Sequence, residues 1–169
     1  MQRRLTGIGV YWLLWRIDYE AYVKQSSISH NLDPYLVCAV IKSESNWDPK
    51  AESSQGAQGL MQLMPVTARA MGLPPGKESN PEESIKAAVK YIDATNRALK
   101  VIPDKKERIK FILASYNAGL GHISDAMALA RKYGKKELVW EHNVEKFILL
   151  KSNEEYFTDP VCRNGYFRG

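Results

Sequence analysis

The stretch VCAVIKSESNWDP, residues 37–49, decides the fold and raises the first chemical question. Val37, Val40 and Ile41 recur at the spacing of one helix face, while Asp33 and Pro34 supply a cap and a first-turn proline. The pattern predicts a helix from about Pro34 to Ser45. Seven residues after Val37 the same face should be apolar again, and it carries Glu44. A carboxylate on a core-facing stripe is partly desolvated, and the last helical turn places it near the negative end of the helix dipole. Both effects favour a carboxyl group still protonated near neutral pH, which is what a general acid requires. The plainer alternative is that Glu44 turns outward at a fraying helix end, or pairs with Lys42 or Lys50.

Working outward, the chain keeps reading as helix. Residues 16–29 form a first segment on Ile17, Tyr22, Val23 and Ile28, broken by HNLDP. NWDPKAESSQG is loop chemistry, and PVTARAMG is a short helix that Gly72 can end. Asn80, Pro81 and Glu83 make a strong helix start, with Ile85, Ala88, Val89, Ile92 and Leu99 on one side. Asp104 caps the next helix, whose stripe runs Ile109, Ile112, Leu113 and then Tyr116. NAGLGH interrupts, a further helix runs from about Ile123 to Tyr133, and a last one starts near Trp140 with Val144, Phe147 and Leu150 aligned. No alternating strand pattern is present. The fold class expected is mainly α, a single domain of several short helices.

Composition sets wide bounds. At 169 residues, 44% hydrophobic and 25% charged, the chain is long enough to bury a real core and ordinary for a globular protein. A net charge of +5, scattered along the sequence, argues against a nucleic-acid binder and suits an enzyme working on an anionic polymer. Cys38 sits in an apolar run and reads as a free thiol, with a disulfide to Cys162 left open. His30, His122 and His142 match no metal spacing and read as surface or capping residues, so no metal or cofactor is expected. The opening MQRRLTGIGVYWLLWRID has a basic start and a short apolar stretch, without a small-x-small cleavage site. It reads equally as an export segment, a first helix or an added start, and residues 1–29 are treated as an N-terminal segment apart from 30–169.

Two further features bear on chemistry. Tyr116 closes an apolar stripe, and the Asn117 and small residues after it suit either a simple helix cap or a backbone that lets something approach. A glycosidase normally needs a second carboxylate, and the nearby candidates Asp48 and Glu52 both lie in loop with no pattern to bury them. That shifts weight toward a substrate that supplies the missing group itself.

Three segments in this order, IKSESNWDPKA, SSQGAQGLMQLMPVTARAMG and ASYNAGLGH, resemble the catalytic domain of the lytic transglycosylases related to goose-type lysozyme. Each is weak alone; the set is specific and covers roughly residues 30–169. The later run from GHISDAMALARKYG to GYFRG further resembles the membrane-bound lytic transglycosylase F branch. The resemblance implies a lysozyme-like fold around a substrate cleft, with Glu44 as the single catalytic acid and base. It places Ser53, Met61, Gln62, Tyr116 and Asn117 at the substrate. On it the Tyr116 hydroxyl orients Glu44, Asn117, Gln62 and Ser53 bond the sugars or the N-acetyl group, and Met61 is an apolar wall.

The implied reaction is cleavage of the β-1,4 bond between N-acetylmuramic acid and N-acetylglucosamine in peptidoglycan, closing a 1,6-anhydro ring without metal or cofactor. The alternatives are a hydrolytic muramidase, a non-catalytic wall-binding or secretion-apparatus module, and a phage- or conjugation-associated enzyme of the same chemistry. A monomer in the cell envelope or periplasm is implied, with outer-membrane association left open. The family usually continues into another helix beyond GYFRG, and the F branch carries a solute-binding-like domain for which this chain has no room; both leave anchoring and regulation open.

Overall fold

The computed structural model describes residues 19–168, so the reading of the first eighteen residues lies outside it. All its regular elements are helical, with isolated bridges Glu52–Gln58 and Gln58–Leu63 as the only pairing among the described residues. The chain divides into two compact units, one ending at Asp93 and the other starting at Ala94.

In the first unit, α1 spans residues 19–29 and buries Tyr19, Val23 and Ser27. Helix α2 is Pro34–Ser45, the span the sequence predicts, and the Asp33 carboxylate accepts the Tyr35 N–H at 2.9 Å. Its Val37, Val40 and Ile41 are buried. Helix α3, Pro65–Ala70, ends before Gly72, whose φ of +85° needs a residue without a Cβ penalty. Helix α4, Pro81–Ala98, begins in the first unit and runs on into the second, and it starts with the Asn80 side chain accepting the Glu83 N–H at 3.0 Å. The stripe of Ile85, Ala88, Val89, Ile92 and Leu99 is buried throughout.

Helix α5, Lys105–Ala118, is capped by Asp104, whose carboxylate accepts the N–H groups of Lys106 and Glu107. Its buried face is not the one expected. Phe111, Ile112 and Ser115 are buried, whereas Ile109 and Leu113 are 37% and 41% exposed. Several registers of an apolar helix fit a hydrophobic stripe, and the packing of Phe111 selects this one. Helix α6, Leu120–Lys132, begins three residues before the expected start at Ile123. Gly119 alone breaks the helices, with φ +89° and ψ 138°. Helices α7, Glu145–Leu150, and α8, Glu154–Phe157, complete the second unit, and the latter was not expected.

The second unit also holds a buried charge cluster. Lys151 is fully buried and donates to the Asp125 carboxylate, to the Asn164 carbonyl at 2.7 Å and to His122 Nδ1 at 3.0 Å. Asp125 accepts the backbone N–H groups of Arg163 and Asn164, both at 2.9 Å. The cluster therefore ties residues 163–164 to α6. Burial pushes the Asp125 carboxyl up, but the Lys151 ammonium and the two N–H donors hold it below its ordinary value. Burial and Lys151 depress His122, which keeps its ring nitrogen an acceptor. The surface reading of His122 is thus corrected. Both cysteines are free.

Removing one partner of a buried pair strands the other charge. Asp125→Ala is expected to lower the unfolding free energy by about 3–5 kcal/mol in urea titrations, whereas Asp125→Leu with Lys151→Met recovers most of the loss. A single variant as stable as the wild type contradicts the role given to the pair.

Candidate active site

Glu44 lies one residue before the end of α2, half-buried, on the same face as Val37. Burial raises its carboxyl above the ordinary glutamate value of 4.5. Among the described residues no hydrogen bond or ion pair engages the carboxyl group, since Lys42 reaches Asn46 instead. The expected alternatives of pairing with Lys42 or Lys50 are not realised. A half-desolvated carboxyl without a cation beside it is a weak acid able to give up a proton on demand.

The chain leaves α2 under strain. Asn46 and Trp47 both take positive φ, 50° and 70°, a region that asparagine tolerates and tryptophan rarely adopts. Three contacts hold the turn: the Lys42–Asn46 bond, the Asp48 N–H to the Ser45 carbonyl at 3.0 Å, and the Trp47 ring stacked parallel to Tyr19 at 6.4 Å. Such strain persists where surrounding contacts over-determine it, and it clusters at functional sites.

The loop 51–63 is hung from this turn. The Ala51 N–H donates to the Asp48 carbonyl at 3.2 Å, and the Ala51 carbonyl accepts both the Gly59 N–H and the Gln62 amide, each at 2.9 Å. Gln62 donates a second time, to the Gly59 carbonyl at 3.0 Å, and is itself held at φ 47°. Its nitrogen is therefore occupied, and its amide oxygen is the end left for a ligand donor. Ser53 closes the loop tip, its hydroxyl accepting the Ala57 N–H at 3.0 Å, and can still donate its own proton. Gly59 has a steric reason: at φ +77° a Cβ would collide with the Glu78 carbonyl.

Met61 departs from its expected role. Like Leu60 beside it the side chain is fully buried, so it supports the loop from inside and offers no face to a sugar. Asp48 and Glu52 are both exposed. Asp48 accepts the Lys50 N–H at 2.9 Å, and Glu52 accepts from Gln58 at 3.4 Å, so both serve the loop itself.

Tyr116 and Asn117 belong to the second unit, in the last turn of α5 before Gly119. Tyr116 is half-buried and Asn117 exposed. Nothing lies within 4 Å of a Cβ built on Gly119, so the break between α5 and α6 borders open space. The first-unit residues Glu44, Ser53 and Gln62 are linked by the hydrogen bonds described above or by adjacency in the chain.

The sequence matches the Transglycosylase SLT domain over residues 21–139, which is most of the chain. The chain belongs to this family. It is 36% identical over 151 residues to a membrane-bound lytic murein transglycosylase F of Desulfosudis oleivorans, covering 89% of this chain and 32% of that protein. A transglycosylase F of Shewanella loihica is 37% identical over 140 residues, with 82% and 28% covered. This SLT chain thus spans about a third of the length of these relatives. Among solved structures, the 70 kDa soluble lytic transglycosylase SLT70 of Escherichia coli aligns at TM-score 0.53 and 27% identity, covering 62% of this chain and 17% of that one. The lytic transglycosylase Slt of Pseudomonas aeruginosa, solved as an inactive Glu-to-Gln mutant, aligns at TM-score 0.56 and 19% identity over 88% of this chain and 26% of that one, a likeness of fold.

The raised Glu44 carboxyl has a consequence for stability. Its ionisation is disfavoured in the folded state, so its contribution is fully present below the unfolded value and is lost as pH rises through the folded value. Glu44→Gln is therefore expected to raise the thermal midpoint at pH 7. The gain should disappear below the ordinary glutamate value of 4.5, where the carboxyl is protonated in both states. A variant no more stable than wild type at pH 7 contradicts the desolvation.

Proposed function

We propose that this SLT domain cleaves the β-1,4 bond between N-acetylmuramic acid and N-acetylglucosamine in peptidoglycan and leaves 1,6-anhydro muramoyl ends. The observation that carries the reading is Glu44: half-buried, unpaired among the described residues, with its carboxyl raised by burial. The Glu44 carboxyl gives its proton to the glycosidic oxygen as the C1–oxygen bond breaks. The muramoyl 2-acetamido group carries the developing positive charge at C1. The 6-hydroxyl then attacks C1, and its proton returns to the Glu44 carboxylate. One carboxyl is restored at the end of each cycle, and no water enters the product. Exposed, loop-bonded Asp48 and Glu52 suit this economy, because neither is placed as a buried nucleophile or base.

The other roles are assigned by what each side chain still offers. The Ser53 hydroxyl can donate to a sugar or N-acetyl oxygen, and the Gln62 amide oxygen can accept from a hydroxyl or amide. Asn117, exposed at the end of α5, presents a full amide, and half-buried Tyr116 stands beside it in the chain. The relatives, membrane-bound lytic murein transglycosylases, support peptidoglycan as the partner and the cell envelope as the place of action. Among the described residues no helix is long and apolar enough to cross a membrane.

Mass spectrometry of digested peptidoglycan in heavy-oxygen water tests the reaction. Muramoyl ends lighter by one water and free of the label are expected, and Glu44→Gln should lower the rate by about 10²- to 10⁴-fold. Labelled reducing ends identify a hydrolytic muramidase and overturn the proposal. Equal rates for the variant and the wild type remove Glu44 from the mechanism.

A further inference from the structure

A groove of about 510 Å³ lies wholly within the second unit, lined by Lys110, Leu113, Ala114, Trp140, Glu141 and Glu145. None of these residues has a part in the chemistry above. The α5 wall of the groove follows from helical spacing: positions 110, 113 and 114 share a face with 117, the exposed Asn117. From Lys110 to Asn117 is seven residues, about 10 Å along the axis, more than one sugar ring covers.

The opposite wall is built with care. The Trp140 backbone N–H donates to the Glu107 carboxylate at 2.9 Å, and the Trp140 ring meets Phe111 edge-on at 5.2 Å. Lys110 donates to both Glu107 and Glu141, at 2.7 and 2.9 Å, joining the two walls. The chain then turns at His142, a non-glycine residue at φ 60°, whose N–H donates to the Glu145 carboxylate at 3.2 Å. The strained turn holds the backbone that brings Glu141 and Glu145 to the groove beside Trp140.

We propose that this groove binds an N-acetylglucosamine ring of the glycan strand, away from the scissile bond, an inference that rests on the reading of the domain as peptidoglycan-acting. An indole beside a 41%-exposed Leu113 offers an apolar floor to the C–H face of a pyranose. The carboxylates of Glu141 and Glu145 accept hydrogen bonds from its hydroxyls. Charge selects between the parts of the polymer. Lys110, the one cation lining the groove, is already engaged by Glu107 and Glu141, and Glu145 adds a further carboxylate to the lining, so an anionic stem peptide is repelled and the neutral, unsubstituted sugar is admitted.

Binding to the Glu44→Gln protein tests this without turnover, using neutral chitotetraose and chito-octaose as probes. The octamer is expected to bind at least tenfold more tightly than the tetramer, and Leu113→Asp should remove that advantage while leaving the tetramer unchanged. Leu113 is exposed, so the fold should be retained; Glu141→Lys provides a second variant, also expected to weaken the octamer selectively. An octamer advantage that survives both substitutions overturns the proposal. So does a gain for stem-bearing strands in Glu141→Lys without any effect on the neutral octamer, which assigns the groove to the peptide. Failure of the product analysis, with length-dependent binding intact, would remove the reaction and leave the groove.

Discussion

The withdrawal of one carboxyl group from water at the end of a short helix is the constraint on which the candidate site depends. Glu44 shares a face with Val37, Val40 and Ile41, whose burial draws it inward, while Ser45 beside it is buried with its hydroxyl bonded to the Ile41 carbonyl at 3.2 Å. The helix stops directly after it. Asn46 and Trp47 stop it in left-handed conformations, and the Asp48 and Ala51 hydrogen bonds carry that turn into the loop of Ser53 and Gln62. Chemistry and strain meet at the same few residues.

The second unit uses charge differently. Its buried Lys151 and Asp125 are satisfied by each other, by His122 and by the backbone of residues 163 and 164, and none of these groups is left poised to react. This is a structural use of ionisable groups, in which complete hydrogen bonding offsets desolvation. Glu44 stands at the other extreme, half-buried with no partner among the described residues. The contrast separates a clamp from an acid better than burial alone does.

Much of this was legible in the sequence where local chemistry dictates local structure. The Asp33–Pro34 start, the Asn80–Pro81 start and the Asp104 cap were readable because each side chain bonds the turn it begins. The half-burial of Glu44 was readable because it follows from helical spacing. The buried face of α5 was not, since Ile109 and Leu113 look as apolar as Phe111 and only tertiary packing ranks them. Nor was the burial of Met61, because the GLMQ motif marks a loop without saying which side chain points inward. The pairing of Asp125 with Lys151 joins residues twenty-six apart, and no local signal connects them. The signal for the strained turn was present, in Asn46 directly after a helix end, but nothing announced that Trp47 would share the conformation.

The candidate site depends on the Glu44 carboxyl being held protonated above its ordinary range, and a carbon NMR titration of the labelled side chain measures this directly. Its resonance can be assigned by its loss in Glu44→Gln. The predicted result is a midpoint above 4.5 that coincides with the alkaline fall of kcat/KM on peptidoglycan. A midpoint at or below 4.5, or an alkaline fall unrelated to it, would contradict the assignment of Glu44 as the acid.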